Sequence, residues 1–120
     1  MRITHYNICA GGGNRLDSIF QVIGNIGPDV CGILEAVGWQ DNAEEIKLRA
    51  QQLGFVFFEL ALANSKYNIG ILSRIPIKVN SIQEGFRHVV LHAEVYEGDF
   101  KGTHIFFVHF SPKLEEDRMA

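Results

Sequence analysis

A chain of 120 residues is one domain's worth of polypeptide. At this size roughly two-thirds of the unfolded surface is buried on folding, enough for one real core. A hydrophobic fraction of 47% with 21% charged residues describes a globular protein and excludes a disordered, collagenous or fibrous one. The net charge of −3 and a pI near 5.9 argue against coating nucleic acid or an anionic membrane by bulk charge.

The first strand is expected over Arg2 to Cys9, ended by Ala10 and the Gly11-Gly12-Gly13 run. Asn14 is then a good helix N-cap, with Asp17 three residues on as its partner. Leu16, Ile19, Phe20, Ile23 and Ile26 follow on one helical face until Gly27-Pro28 stops the helix. Asp29 to Leu34 is a short apolar run of the kind found in a strand covered on both faces. The first forty residues therefore spell β-α-β, a parallel pair joined by a crossover. Asp41 or Asn42 caps a second helix whose buried stripe is Ala43, Ile46, Ala50 and Leu53, and Gly54 ends it.

After residue 54 the grammar changes to five strand-length runs: Phe55 to Ala61, Ile69 to Ser73, Ile77 to Ile82, Val89 to Tyr96 and His104 to Phe110. Their short connections carry Gly, Pro or Asn, as between antiparallel neighbours. Pro76 suits a turn or an edge. Lys113 to Ala120 starts like a helix. The class is α/β with one mixed sheet and a helix layer, over a single domain of residues 1–120.

Cys9 and Cys31 both sit inside apolar runs and read as buried free thiols of a reducing compartment. No basic-then-apolar leader opens the chain, and no apolar run nears the ~18 residues of a membrane span, so a cytoplasmic location is expected.

Three polar residues share an odd placement. Asn7 lies near the end of the first strand, Glu35 directly follows the second, and His109 falls within the last. Ligands of open α/β sheets bind outside the carboxyl ends of strands, so parallel strands would bring the three to one rim. An amide, a carboxylate and an imidazole together suit a hard divalent cation and a phosphate oxygen. The plainer alternative is one polar residue meeting solvent at each strand end.

Four segments in order carry a resemblance: RITHYNI at 2–8, PDVCGILEA at 28–36, GILSRIPI at 70–77 and FFVHFSP at 106–112. Together they resemble the endonuclease/exonuclease/phosphatase family, whose fold is that of pancreatic-type deoxyribonuclease. The resemblance implies metal-dependent hydrolysis of phosphoesters, with Glu35 as ligand of Mg²⁺ (Mn²⁺ as the alternative), Asn7 beside the metal and His109 on the scissile phosphate. It also implies an α/β/β/α sandwich of which this chain is the N-terminal half. The family's second half brings a Gly-Asp-Phe-Asn segment and a late Ser-Asp-His pair, and neither is present. Gly98-Asp99-Phe100-Lys101 has lysine in place of asparagine and precedes His109, so it reads as a hairpin turn.

Weaker candidates remain. Asn68, beside Tyr67, could bond a substrate or serve a turn. Arg15 and Arg74 could face phosphates or simply meet solvent, and Gly11 to Gly13 could cradle an anion or form a flexible turn. Trp39 could line a cleft or cover a helix end. His88 and His92 share a strand face without a third ligand, and His104 opens its strand.

A lone half would leave its sheet's inner face bare, so a homodimer through that face is expected. The expected partner otherwise is a phosphate-ester substrate, nucleic acid among the options. Against the phosphoesterase stands a second reading, a non-catalytic remnant or binding module that keeps the fold and part of the metal site.

Overall fold

The computed structural model describes residues 1–62, 68–85 and 88–110. Among these described residues seven strands and two α-helices run in the order β1 (Ile3–Asn7), α1 (Leu16–Ile26), β2 (Val30–Leu34), α2 (Ala43–Gln52), β3 (Phe57–Ala61), β4 (Ile69–Ser73), β5 (Ile77–Gly85), β6 (His88–Val95) and β7 (His104–Phe110). The class is α/β, as read from the sequence, but the strands divide between two sheets rather than sharing one. The first has the order β1-β2-β4-β3 and the second β5-β6-β7.

In the first sheet β1 and β2 are parallel, pairing Ile3 with Val30 through Asn7 with Leu34, and the other pairings are antiparallel. The second sheet is wholly antiparallel. The division occurs at Arg74 to Pro76. Ser73 Oγ donates to the Ile75 carbonyl at 2.7 Å and accepts the Ile75 N–H at 3.1 Å, closing a tight turn. Pro76 has no N–H to extend a ladder, so the chain leaves β4 here and starts a new layer.

Three layers result. Strand β2 is buried along its whole length, and alternate residues serve different cores. Cys31 and Ile33 face the helices and join Ile19, Phe20, Ile23, Trp39, Ile46 and Ala50. Val30 and Leu34 face the second sheet and join Leu91, Val95, Ile105 and Phe107. Between them Gly32 offers no side chain, and the Phe107 ring occupies the space that a Cβ would take. The inner face expected to be bare is therefore covered by the chain's own second sheet.

What stays open is narrower. Ile3, His5 and Asn7 of β1 share the face of Val30, Gly32 and Leu34 yet are exposed. Along β7 the buried Ile105, Phe107 and His109 alternate with exposed Phe106, Val108 and Phe110. Among the described residues β1 and β7 are edge strands of their sheets.

The start of α1 differs from expectation, whereas α2 starts directly after Asn42 as expected. Residues Ala10–Arg15 form a 3-10 turn, and α1 begins at Leu16 with no side-chain cap from Asn14. Positive φ angles from Cys9 through Gly13 wind the chain into that turn, so Asn14 never reaches a capping position. Asp17 instead accepts from Arg49 Nη1 of α2 at 2.6 Å, tying the helices together. Asn42 precedes α2 without a side-chain cap bond. The C-terminus of α1 is the expected one, with Gly27 left-handed and its N–H on the Ile23 carbonyl. The expected helix over 113–120 lies outside the described residues.

Both cysteines are free, but only Cys31 is buried, and Cys9 is exposed at the turn after β1. Burial pushes the Cys31 thiol up to about 12, leaving almost no thiolate at neutral pH. A disulfide reagent at pH 7.5 is expected to label one thiol of the native chain quickly and the second only after unfolding. Equal labelling rates would contradict this packing.

Candidate functional site

Four polar residues converge on one end of the sandwich because of strand direction. Asn7 ends β1 and Glu35 follows β2, its parallel neighbour, while Asn68 precedes β4, which runs the other way. His109 lies near the end of β7. Its Nε2 stands 3.7 Å from Glu35 Oε2, so strands of both sheets deliver an imidazole and a carboxylate to one point. His109 is buried and the Glu35 side chain is 28% exposed, which leaves the carboxylate as the solvent-facing member.

Glu35 sits in the left-handed region at φ 61°, an uncommon place for a residue with a Cβ. The backbone around it holds that conformation. Its carbonyl accepts the N–H of Gly11 at 2.8 Å and of Val37 at 2.7 Å, and the next N–H, of Ala36, donates to the Asn68 carbonyl at 2.9 Å. Gly11 is itself at φ 83°, and a Cβ there would run into the Val37 carbonyl oxygen. Trp39 Nε1 donates to the Gly11 carbonyl at 3.1 Å. The loop after β1 and the loop after β2 are thus locked together, and the strained residue between them is the carboxylate. Such strain persists only where the surroundings over-determine it.

The Asn7 Oδ1 accepts the Cys9 N–H at 3.0 Å, which turns the chain away from the site. Asn68 is buried, and its Nδ2 donates to Gln40 Oε1 at 3.3 Å. Its neighbour Tyr67 lies outside the described residues.

Several sequence candidates resolve elsewhere. Arg15 donates to the Ile8 and Cys9 carbonyls and buttresses the glycine turn. Arg74 stacks on the Phe55 ring at 4.8 Å and donates to the Pro28 carbonyl. Trp39 is core, stacked with Phe20 beneath the helices. Residues 98–101 form the β6–β7 turn, and His104 opens β7.

His5 is the residue that sequence reasoning passed over. It lines a cleft of about 180 Å³ with Leu34, Phe106, Phe107 and Val108. The available signal was the period of two along β1, which puts His5 on the same face as Asn7.

Among the described residues no three His, Cys, Asp or Glu side chains gather as a closed metal cage. The donor set at Glu35 is a single carboxylate with a neutral amide nearby. That fits Mg²⁺, which takes one or two carboxylates and keeps several waters.

No protein-family model and no curated protein matches the sequence. Solved structures do match the fold. Truncated Caenorhabditis elegans TDP2 superposes with a TM-score of 0.62 at 20% identity, over 98% of this chain and 48% of its own. ANGEL2, described as a 2′,3′-cyclic phosphatase and solved with adenosine-2′,3′-vanadate, superposes with a TM-score of 0.52 at 14% identity, over 88% of this chain and 39% of its own. The chain thus spans about half the length of these structures. Both neighbours are members of the endonuclease/exonuclease/phosphatase superfamily, and the fold of this chain is the fold of that superfamily.

Proposed function

We propose that the chain forms part of a divalent-metal-dependent phosphoester hydrolase. The observation that supports this most is the meeting of Glu35 and His109, 3.7 Å apart, at one end of a sandwich shared with a 2′,3′-cyclic phosphatase. Glu35 would hold Mg²⁺, or Mn²⁺ in its place, with the Asn7 amide adding a neutral oxygen. When bound, such an ion polarises a phosphoryl oxygen. His109 donates from Nε2 to a non-bridging oxygen of the phosphate, where negative charge grows as water adds to phosphorus and the ester oxygen departs. Asn68 acts as a positioning residue, since its carbonyl holds the Ala36 N–H and its amide holds Gln40. Two free cysteines in so small a chain favour a reducing compartment, the cytoplasm.

The resemblance assigns activation of the attacking water to the family's second half, so a partner surface is part of the proposal. The open face of β1 and the edge of β7 mark where it attaches. A second copy is the partner that a solution of this chain supplies by itself, through these edges rather than through the inner sheet face. A second reading, a non-catalytic binding module, draws on the missing third metal-ligating side chain among the described residues.

Light scattering after gel filtration is expected to give a dimer. The dimer should hydrolyse a 2′,3′-cyclic nucleotide or an aryl phosphodiester slowly in Mg²⁺, and a chelator should abolish this. A monodisperse monomer overturns the pairing. An absence of turnover in every fraction and metal decides for the binding module.

A further inference from the structure

A second cluster lies on the outer face of the β5-β6-β7 sheet. His92 Nε2 is 2.7 Å from His104 Nδ1, with the ring centroids 5.0 Å apart and the planes 26° from parallel, so the rings meet edge to edge. The Phe106 ring stacks on His92, 4.5 Å away and 9° from parallel. The register explains the meeting: His92 pairs with Phe106 and Glu94 with His104, so the two histidines are diagonal neighbours across β6 and β7. The Glu94 carboxyl is held below the usual carboxylate range, chiefly by the hydrogen bond from Asn80 and then by the nearby His104, Lys78 and His92. Glu94 adds negative charge beside the pair, while Lys78, its register partner on β5, is the opposing cation.

Two ring nitrogens this close face each other across one proton, which one ring donates and the other accepts. A transition-metal ion can replace that proton. Zinc–imidazole bonds of about 2.0–2.1 Å set two tetrahedral nitrogens about 3.3 Å apart. The exposed His104 ring can swing by that small difference while Phe106 keeps His92 in place. Imidazole nitrogen selects Zn²⁺, Ni²⁺ or Cu²⁺ over Mg²⁺.

We propose that His92 and His104 form a two-nitrogen chelate for a transition-metal ion of the zinc, nickel and copper class, completed by water. This site is independent of the hydrolase reading. His104 begins β7 and His109 lies five residues on, about 17 Å along the strand and on the opposite face. A bound ion would clamp β6 to the edge strand β7 beside the exposed Phe106. Ligation requires deprotonated rings, so binding weakens on acidification.

The test is a Zn²⁺ titration of the whole chain by calorimetry, with imidazole resonances followed by nuclear magnetic resonance. One ion per chain is expected, shifting the His92 and His104 ring signals. His92→Ala and His104→Ala should each weaken binding at least about tenfold. Cys9→Ser and His5→Ala, which remove exposed soft ligands outside the pair, should retain it. Both histidines are on the surface, and circular dichroism verifies that each variant folds. No binding by the parent chain, or binding that survives either histidine substitution, overturns the proposal.

Discussion

Glu35→Gln is expected to lower metal-dependent phosphoester hydrolysis by about 10²- to 10³-fold, the range for removing one preorganised charge-stabilising group. The substitution keeps the side chain's size and replaces only the charge. Glutamine meets the same left-handed backbone as glutamate, and the hydrogen bonds that hold residue 35 run through main-chain atoms. Its chemical-denaturation midpoint should therefore stay close to that of the parent. The loss should be concentrated in metal use, since a neutral amide holds Mg²⁺ poorly and the variant would need far more of it. Retained activity at low Mg²⁺ would sink the assignment of Glu35, and a collapsed midpoint would show that the carboxylate serves folding instead.

The two-residue grammar of strands and the 3.6-residue grammar of helices made most elements legible. Strands β2, β4 and β7 occupy the runs read for them, and the helices bury the centres of their expected stripes, Ile19, Phe20 and Ile23 in α1 and Ile46 and Ala50 in α2, while Ile26 at the end of α1 is exposed. The start of α1 differs from the expected one because Asn14 is a good cap only if the preceding chain is extended. Three consecutive glycines let it wind left-handed, and that conformation has no signature beyond composition. The second sheet was missed because a strand's sequence says which faces are buried and not which neighbour covers them. Only the turn at Ser73 to Pro76 separates the layers. At the site, Asn7, Glu35 and His109 could be named as strand-end residues, and strand direction could be guessed for the first two. The antiparallel path that returns β7 to the same end depended on contacts between sheets. His5 escaped notice because one histidine on an edge strand looks like a solvated residue until its neighbours are placed.

Phe107→Ala is expected to destabilise the chain by about 3–5 kcal/mol, the usual cost of emptying a buried phenylalanine site. The ring is 5% exposed and fills the space above Gly32, where the first sheet offers no side chain of its own. Truncation therefore opens a void between two sheets whose backbones are fixed by their ladders, and neither can collapse to close it. The neighbouring Phe106 supplies the control. It is the same residue type on the same strand, turned to the opposite face and 59% exposed. Phe106→Ala in a monomer should cost no more than about 1 kcal/mol, the loss of its cross-strand stack on His92. Paired urea titrations of the two variants separate the layers. A Phe107→Ala loss below about 1 kcal/mol would contradict sheet-on-sheet packing. A Phe106→Ala loss that grows with protein concentration would show that the outer face of β7 is covered in solution, because association then adds to apparent stability by mass action.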